Sequence, residues 1–176
     1  MAYLKIRHKE KAGYRVGKYH DDHALIDVIS YIFDPRKIPS GYVGGLAVNP
    51  NNAVYEMSML SRCYAQDSGV RLRHMILAFE SGELDTMKRG AACAAYQIGY
   101  EAAKFYGWHY QIVYAVHENT DIIHIHFVMN TTDYLTGLKY EGKKADLYRF
   151  LEHTNAVLEQ YGTSAVFLQD DEDRLF

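Results

Sequence analysis

The stretch HENTDIIHIHFVMN, residues 117–130, places three histidines within ten positions of a segment that is otherwise largely apolar. Side chains along a β-strand point alternately to its two faces, so alternation separates a core face from an opposite face. In residues 122–130 one set of positions is wholly apolar, whereas the other set includes His124, His126 and Asn130. The pattern predicts a strand with both histidines opposite the core layer, about 7 Å apart.

The preceding segment, residues 108–118, sorts in the same way and predicts a second strand. His117 lies on the face opposite the one that carries Tyr110, Ile112, Tyr114 and Val116. A few residues separate the two segments, which is typical of a β-hairpin. Such a hairpin can place His117 beside His124 and His126, so that three imidazoles converge at one spot.

Three neutral imidazoles are good ligands for a divalent metal ion, and they leave coordination positions open. We therefore favour a metal site at His117, His124 and His126 over a set of surface histidines that never meet. Asp121, just before the second strand, could accept the spare N–H of a ligand imidazole and fix its tautomer. An ordinary role as a turn residue is equally compatible with its position.

The remaining patterns alternate between strands and helices. Helices are predicted within 21–39, 53–69, 85–107 and 143–162, and further strands within 2–16, 41–48, 70–83, 136–140 and 164–168. Asp21 or Asp22 can cap the first helix, which Pro35 ends, and Asp85 or Thr86 can cap the third. Because the two best strands form a hairpin, the fold class is α+β: a central antiparallel or mixed sheet with helices packed on one face.

Composition restricts the class of protein. The 176 residues suit one domain, with 48% hydrophobic and 23% charged residues, and no apolar run is long enough for a membrane span. Two cysteines form no disulfide framework, so a cytoplasmic location is expected. The formal net charge is −3, but residues 170–176 hold four acids and one arginine. We therefore expect one domain over 1–169, an acidic tail over 170–176, and any polyanion site as a local patch.

Three stretches resemble motifs of the conjugative relaxases, the mobilisation nucleases of the HUH endonuclease superfamily. The metal motif of that family is similar to AVHENTDIIHIHFVMN, residues 115–130. Its nucleophile motif resembles LIDVISYIFDPRKI, residues 25–38, in which a helical tyrosine shortly precedes a D/N-P-x-K segment. Its middle motif resembles LRHMILAFESGE, residues 72–83. The three occur in the family's order, and the resemblance covers roughly residues 20 to 162.

The resemblance implies a site- and strand-specific nuclease that nicks and rejoins single-stranded DNA at a transfer origin. Tyr31 would be the nucleophile and would form a 5′-phosphotyrosine link, with His117, His124 and His126 as ligands of one divalent metal ion. Mg²⁺ or Mn²⁺ is expected from availability, and three imidazoles would also accept Zn²⁺. The implied partners are single-stranded DNA, relaxosome accessory proteins and a coupling protein. The chain is expected to act as a monomer and not to bind a membrane.

The chain departs from the family at Ala78, where the middle motif usually has a serine. His74 shares a strand face with Ala78 by alternation, about 13 Å away along the strand. We expect His74, Asp121 and Asn130 to act around the metal or the substrate. Contacts with DNA phosphates are also expected from five basic residues: Arg36, Lys37, Lys139, Lys143 and Lys144.

Two alternatives remain open at this point. Rolling-circle replication initiators and related transposases carry their nucleophilic tyrosine on a helix after the H-x-H strand, where this chain has Tyr148. A metal-stabilised module that binds DNA without cutting it would also account for the histidines, but it would leave Tyr31 without a role.

Overall fold

The computed structural model describes residues 1–7, 19–85, 87 and 90–168. Its strands are β1 (Ala2–Arg7), β2 (Val43–Leu46), β3 (Leu72–Ala78), β4 (Tyr110–His117), β5 (His124–Asp133) and β6 (Ala165–Phe167). Its helices are α1 (Asp22–Ile32), α2 (Ala53–Cys63), α3 (Ala91–Gly107) and α4 (Lys144–Glu159), with a short 3₁₀ turn at Pro50–Asn52. The proposed tail, residues 170–176, lies outside the described residues. Across the described part, no helix is long and apolar enough to cross a membrane.

The six strands form one sheet in the order β2-β4-β5-β3-β1-β6. Neighbouring strands pair antiparallel except for β1 and β6, which are parallel. The α+β class and the mixed sheet predicted from the sequence are confirmed. The β4–β5 hairpin is also confirmed, and it lies near the middle of the sheet, where both strands have partners on either side.

Helices cover both faces of the sheet rather than the single face expected from the sequence. On one face, α3 and α4 pack on the apolar side chains of β4 and β5: Ile112, Tyr114, Val116, Ile125, Phe127 and Met129. On the opposite face, α1 and α2 pack on a smaller cluster that includes Val113, Ala115 and Val128. The expectation of one covered face was wrong because the histidine face is only partly polar. Its apolar positions must also be removed from water.

Helix α1 follows its sequence signals closely. The side chain of Asp21 accepts the backbone N–H of Ala24 at 3.1 Å, which satisfies one of the free donors at the helix start. The apolar stripe is buried at Leu25, Val28, Ile29 and Ile32. Tyr31 lies off this stripe and keeps 44% of its surface exposed. Helix α1 therefore packs on the sheet with its apolar face and leaves the Tyr31 side chain outside the core.

Helix α3 begins later than predicted. Residues 85–107 have a helical pattern, but the helix starts at Ala91, with Gly90 at the N-cap position. Gly90 has a φ of 83°, which lies outside the right-handed helical region and separates the preceding turns from the helix. Asp85 therefore does not cap the helix, and Thr86 lies outside the described residues. The segment 136–140 forms no strand: it joins β5 through a single bridge between Lys139 and Thr132, flanked by the backbone hydrogen bonds from Asp133 to Leu138 and from Tyr140 to Thr131.

Asn130 on β5 is a buried polar link between the sheet and α2. Its amide donates to the carbonyl of Met57 at 3.1 Å and to the side chain of Gln111 at 3.0 Å. Its oxygen accepts from the Ser61 hydroxyl and from the Thr132 backbone N–H, both at 3.2 Å. Because the side chain is fully buried, all four groups would lose a partner if the amide were removed.

We expect Asn130→Ala to lower the free energy of unfolding by about 3 kcal/mol, since it leaves several buried polar groups unsatisfied. Urea denaturation monitored by circular dichroism measures this change. The matched control is Asn52→Ala, because Asn52 is exposed and its side chain makes no capping hydrogen bond. The control should change stability by less than about 0.5 kcal/mol. Equal stability of Asn130→Ala and the wild type would contradict this role.

Candidate active site

The hairpin brings three histidines together on the face that α1 covers. His117 is the last residue of β4 and pairs directly with His124, the first residue of β5. His126 pairs with Ala115 and therefore lies on the same face, two residues beyond His124. One nitrogen of each ring lies within 4.8 Å of a nitrogen of the other two. The predicted convergence of the three imidazoles is therefore present.

Backbone carbonyls hold two of these rings through their second nitrogen. The Nε2–H of His117 donates to the carbonyl of Ile32 at 2.9 Å, and the Nδ1–H of His124 donates to the carbonyl of Ile122 at 2.9 Å. Each bond places the proton on the bonded nitrogen. The lone pairs of His117 Nδ1 and His124 Nε2 are then free to bind a cation.

His126 is held by another histidine. Its Nδ1 lies 2.8 Å from Nε2 of His74, a residue of the neighbouring strand β3. Donation from His126 to His74 leaves His126 Nε2 with a lone pair on the side of the cluster. Within the described residues, His117 Nδ1 and His126 Nε2 are both buried and have no hydrogen-bond partner. Two buried, unsatisfied ring nitrogens close together fit the donor set of a divalent metal ion.

The electrostatics of the cluster keep the imidazoles neutral. Burial lowers the pKa of His117 from its ordinary value of 6.5 to about 4, and burial also lowers the pKa of His124 and His126. Neutral imidazole is the form that binds a metal ion, so at neutral pH no proton has to be removed first. Lys37 contributes to the lowered pKa of both His117 and His124 through its positive charge.

Tyr31 lies beside this cluster. Its ring centroid is 5.7 Å from that of His117 and 5.5 Å from that of His126. The ammonium nitrogen of Lys37 lies 3.2 Å from the centroid of the same tyrosine ring. Such a contact between a cation and an aromatic ring is attractive and restricts the orientation of both side chains. The structure therefore brings together Tyr31, Lys37 and the three histidines, as the sequence motifs implied.

Two other predicted neighbours of the metal lie apart from the cluster. Asp121 is exposed and lines a separate surface cavity with Glu80, Glu83 and Asp85. The Nδ1–H of His124 donates to the carbonyl of Ile122 and not to the Asp121 carboxylate, which was the acceptor suggested from the sequence. The Asn130 side chain belongs to the buried network with α2. It lies four residues beyond His126, about 13 Å along the strand.

The basic residues predicted to contact DNA divide into two groups. Arg36 follows α1 close to Lys37, with its side chain 88% exposed and paired with Asp34 at 2.7 Å. Lys139 bridges to β5 eight residues beyond His124, about 27 Å along the strand. Lys143 pairs with Glu141 at 2.8 Å, and Lys144 begins α4 on the other face. Lys139, Lys143 and Lys144 are therefore not part of the histidine cluster.

Tyr148 is also remote from the histidines. It lies on α4, the helix that packs on the opposite face of the sheet, and its ring contacts Phe167 at a centroid distance of 5.4 Å. Ala78, by contrast, pairs directly with His124 across β3 and β5, so its methyl group lies beside the cluster. Ala78 is 1% exposed, and it brings no hydroxyl group to the place where the family's motif usually has one.

Comparison with known families agrees with this arrangement. A family model described as the nuclease domain of MobA/VirD2-like relaxases matches residues 31–163, about three quarters of the chain. The chain belongs to the MobA/VirD2-like relaxases. The matched region of this relaxase domain begins at Tyr31 and includes all three histidines. The resemblance inferred from the sequence motifs is therefore confirmed.

A curated relative supports the same family. Protein rlx of Staphylococcus aureus is 28% identical to the relaxase domain over 101 residues. The match covers 57% of this chain and 30% of that relative, so it spans less than a third of the relative's length. No solved structure matches the chain.

The lowered pKa values predict acid sensitivity of the metal-free domain. Unfolded histidines take up protons near pH 6.5, whereas the buried ones resist protonation down to about pH 4 for His117. Stability is therefore complete above pH 6.5 and is lost as the pH falls from 6.5 to 4, with His117 alone accounting for about 3 kcal/mol. Urea denaturation across this range in a chelator measures the loss. His126→Leu should make the decline shallower; an unchanged slope in this variant would exclude His126 from the titration.

His74 should influence metal affinity without being a ligand. Removal of its ring in His74→Ala leaves His126 Nδ1–H without its acceptor, and we expect Mn²⁺ affinity to fall about 10- to 100-fold. His126→Ala, which removes one of the three clustered ring nitrogens, should have a larger effect. The control is His153→Ala, since His153 bonds the carbonyl of Glu101 on the other face of the sheet. Calorimetry that gave the same affinity for His74→Ala and His153→Ala would show that His74 does not support the site.

Proposed function

We propose that this relaxase domain nicks and rejoins single-stranded DNA at a transfer origin, with Tyr31 as the nucleophile. The observation that carries the proposal is the position of Tyr31, whose ring lies within 5.7 Å of two of the three clustered histidines. A nucleophile and a cation site at this separation can act on one phosphodiester group. Membership of the relaxase family supports the same reaction class.

His117, His124 and His126 would hold one divalent metal ion through His117 Nδ1, His124 Nε2 and His126 Nε2. When bound, the ion polarises the non-bridging oxygens of the phosphate and offsets negative charge in the transition state. The three nitrogens leave coordination positions for phosphate oxygens. Mg²⁺ or Mn²⁺ is the proposed ion, and an all-imidazole donor set also suits Zn²⁺.

Tyr31 would carry the covalent step. Its hydroxyl oxygen attacks phosphorus, and a tyrosyl O–P bond forms as the bond from phosphorus to the 3′ oxygen breaks. The phenol loses its proton and the leaving 3′ oxygen gains one, so the products are a 5′-phosphotyrosine and a free 3′-OH. Attack of a 3′-OH on the phosphotyrosine reverses the reaction and rejoins the strand. The 44% exposure of Tyr31 gives a polymeric substrate access to the nucleophile.

Lys37 would position the nucleophile. Lys37 directly follows the turn formed by Asp34 and Arg36, just after the end of α1. Its ammonium group lies against the Tyr31 ring. This contact limits rotation of the tyrosine and adds positive charge near the phosphate site. Arg36, with most of its side chain in solvent, is placed to contact a phosphate of the DNA backbone.

The wider setting follows from the proposed reaction. A relaxase of this kind acts on one strand of a transfer origin, together with accessory proteins and a coupling protein, and initiates conjugative transfer or mobilisation. We propose that the domain acts as a monomer in the cytoplasm. The formal net charge of −3 indicates that such DNA binding depends on local positive patches rather than on the whole surface.

The position of Tyr148 weighs against the replication-initiator alternative. Because α4 packs on the opposite face of the sheet, the sheet itself separates the Tyr148 hydroxyl from the three histidines. A binding module without catalysis would not require Tyr31 and Lys37 to lie against the histidines. Both alternatives are separated from the proposed reaction by an assay for the covalent intermediate.

Tyr31→Phe should abolish the covalent protein–DNA adduct, because it deletes only the attacking hydroxyl group. The measurement uses labelled single-stranded DNA that contains the transfer origin, with Mn²⁺, followed by denaturing electrophoresis. Tyr148→Phe is the matched control and should form the adduct at the wild-type rate. An adduct with Tyr31→Phe that disappears with Tyr148→Phe would establish Tyr148 as nucleophile. Binding without an adduct in the wild type would favour the non-catalytic module.

A further inference from the structure

A cavity of about 410 Å³ opens where β1 ends and β3 begins, outside the histidine cluster. Two arginines, Arg7 and Arg73, line it together with two tyrosines, Tyr19 and Tyr140. Among the described residues neither arginine forms an ion pair, and Glu141 at the rim is paired with Lys143 at 2.8 Å. The cavity thus combines positive charge that no described residue neutralises with aromatic surface, in a volume that suits a small ligand.

Arg73 has an unsatisfied donor at this cavity. Its Nη1 is buried and has no hydrogen-bond partner in the described part of the chain. The nitrogen lies only 2.8 Å from where a Cβ of Gly142 would be, so the glycine leaves the space that the guanidinium occupies. A buried cationic donor without an acceptor is energetically unfavourable. A bound anion would supply the missing acceptor and offset the positive charge.

The aromatic wall is held rigidly. The Tyr140 ring lies 4.9 Å from the guanidinium carbon of Arg73, and its hydroxyl donates to Asp146. The Tyr106 hydroxyl donates to the same carboxylate at 3.0 Å. Asp146 therefore fixes Tyr140 from behind, and the ring in turn supports the planar guanidinium group. A preformed stack of this kind can bind a flat aromatic group with little loss of side-chain entropy.

The cavity lies within reach of the metal site. Arg7 on β1 pairs directly with His74 on β3, whose ring contacts His126. Leu72 lies four residues along β3 from Ile76, the partner of His126, and on the same face, whereas Arg73 lies three residues away and, by alternation, on the opposite face. The cavity therefore opens at the end of the sheet between its two faces, about 10 to 13 Å along β3 from the histidine cluster. A single DNA strand crosses that distance in about two to four nucleotides.

We propose that this cavity binds one nucleotide of the DNA strand, a few nucleotides from the phosphate that is cut. Arg7 and Arg73 hold its phosphate, and its base packs on the Arg73–Tyr140 stack, since bases stack on aromatic rings and on guanidinium planes alike. The inference rests on the proposed function, because it identifies a second contact for the same substrate strand. It gives the relaxase domain a recognition site separate from the catalytic residues.

Equilibrium binding tests this site without any cleavage. Fluorescence anisotropy with labelled single-stranded DNA of randomised sequence, in excess chelator, compares the wild type with Arg73→Gln and Arg7→Gln. Arg149→Gln is the matched control, because Arg149 is exposed on α4 and does not line the cavity. Arg7 is exposed at the end of β1, so its variant tests the cavity even if Arg73→Gln folds poorly. Circular dichroism reports the fold of each variant.

We expect each cavity variant to weaken binding about tenfold and to reduce the slope of log affinity against log salt by about 0.7, as for one lost phosphate contact. Arg149→Gln should match the wild type. Affinities of both cavity variants equal to that of Arg149→Gln would overturn the site, while nicking by the same proteins would leave the proposed function intact. Wild-type protein that binds no single-stranded DNA would overturn both. Binding of a free deoxynucleoside monophosphate as tightly as the strand would make the cavity a mononucleotide site and refute the inference.

Discussion

The bond between the His117 N–H and the carbonyl of Ile32, at 2.9 Å, is the contact on which the site depends. It connects the end of α1 to the end of β4 and satisfies a carbonyl that has no partner further along the helix. The same bond fixes the tautomer of His117 and turns Nδ1 toward the other two histidines. Because Tyr31 immediately precedes Ile32, the bond that orients the His117 ring also fixes the backbone position of the tyrosine. One hydrogen bond therefore couples the cation site to the proposed nucleophile.

The sheet serves two different purposes on its two faces. Large aromatic and aliphatic side chains under α3 and α4 form the main core, which stabilises the hairpin without involving any histidine. The opposite face divides its positions between a smaller apolar cluster under α1 and α2 and the polar groups of the site. Burying imidazoles without a metal ion is costly, because the ring nitrogens His117 Nδ1 and His126 Nε2 are buried and have no hydrogen-bond partner among the described residues. The main core compensates for this cost, since the net stability of a domain is a small difference between large opposing contributions.

Much of this arrangement could be predicted from local patterns. Alternation in 108–130 identifies the hairpin and the shared face of the histidines, and the stripe in α1 places Tyr31 away from the core. The packing of α1 and α2 on the histidine face could not be predicted, because it depends on which helices fold back onto that face of the sheet. The hydrogen-bond partners of His117 and His124 were also missed, since the carbonyls of Ile32 and Ile122 have no signature in the sequence. The contact between His74 and His126 was not predicted, because it runs across to the adjoining strand β5, and pairing register is a tertiary property.

The two halves of the site differ in how far apart their residues lie along the chain. His117, His124 and His126 belong to one hairpin, which closes a short loop and forms early at low entropic cost. The contact with α1 joins residues separated by 85 positions, and the contact with His74 joins residues separated by 52. Such distant contacts form late, because a long segment must be ordered before they contribute. During folding the cation site would be assembled first, and the tyrosine would join it only when the whole sheet is complete.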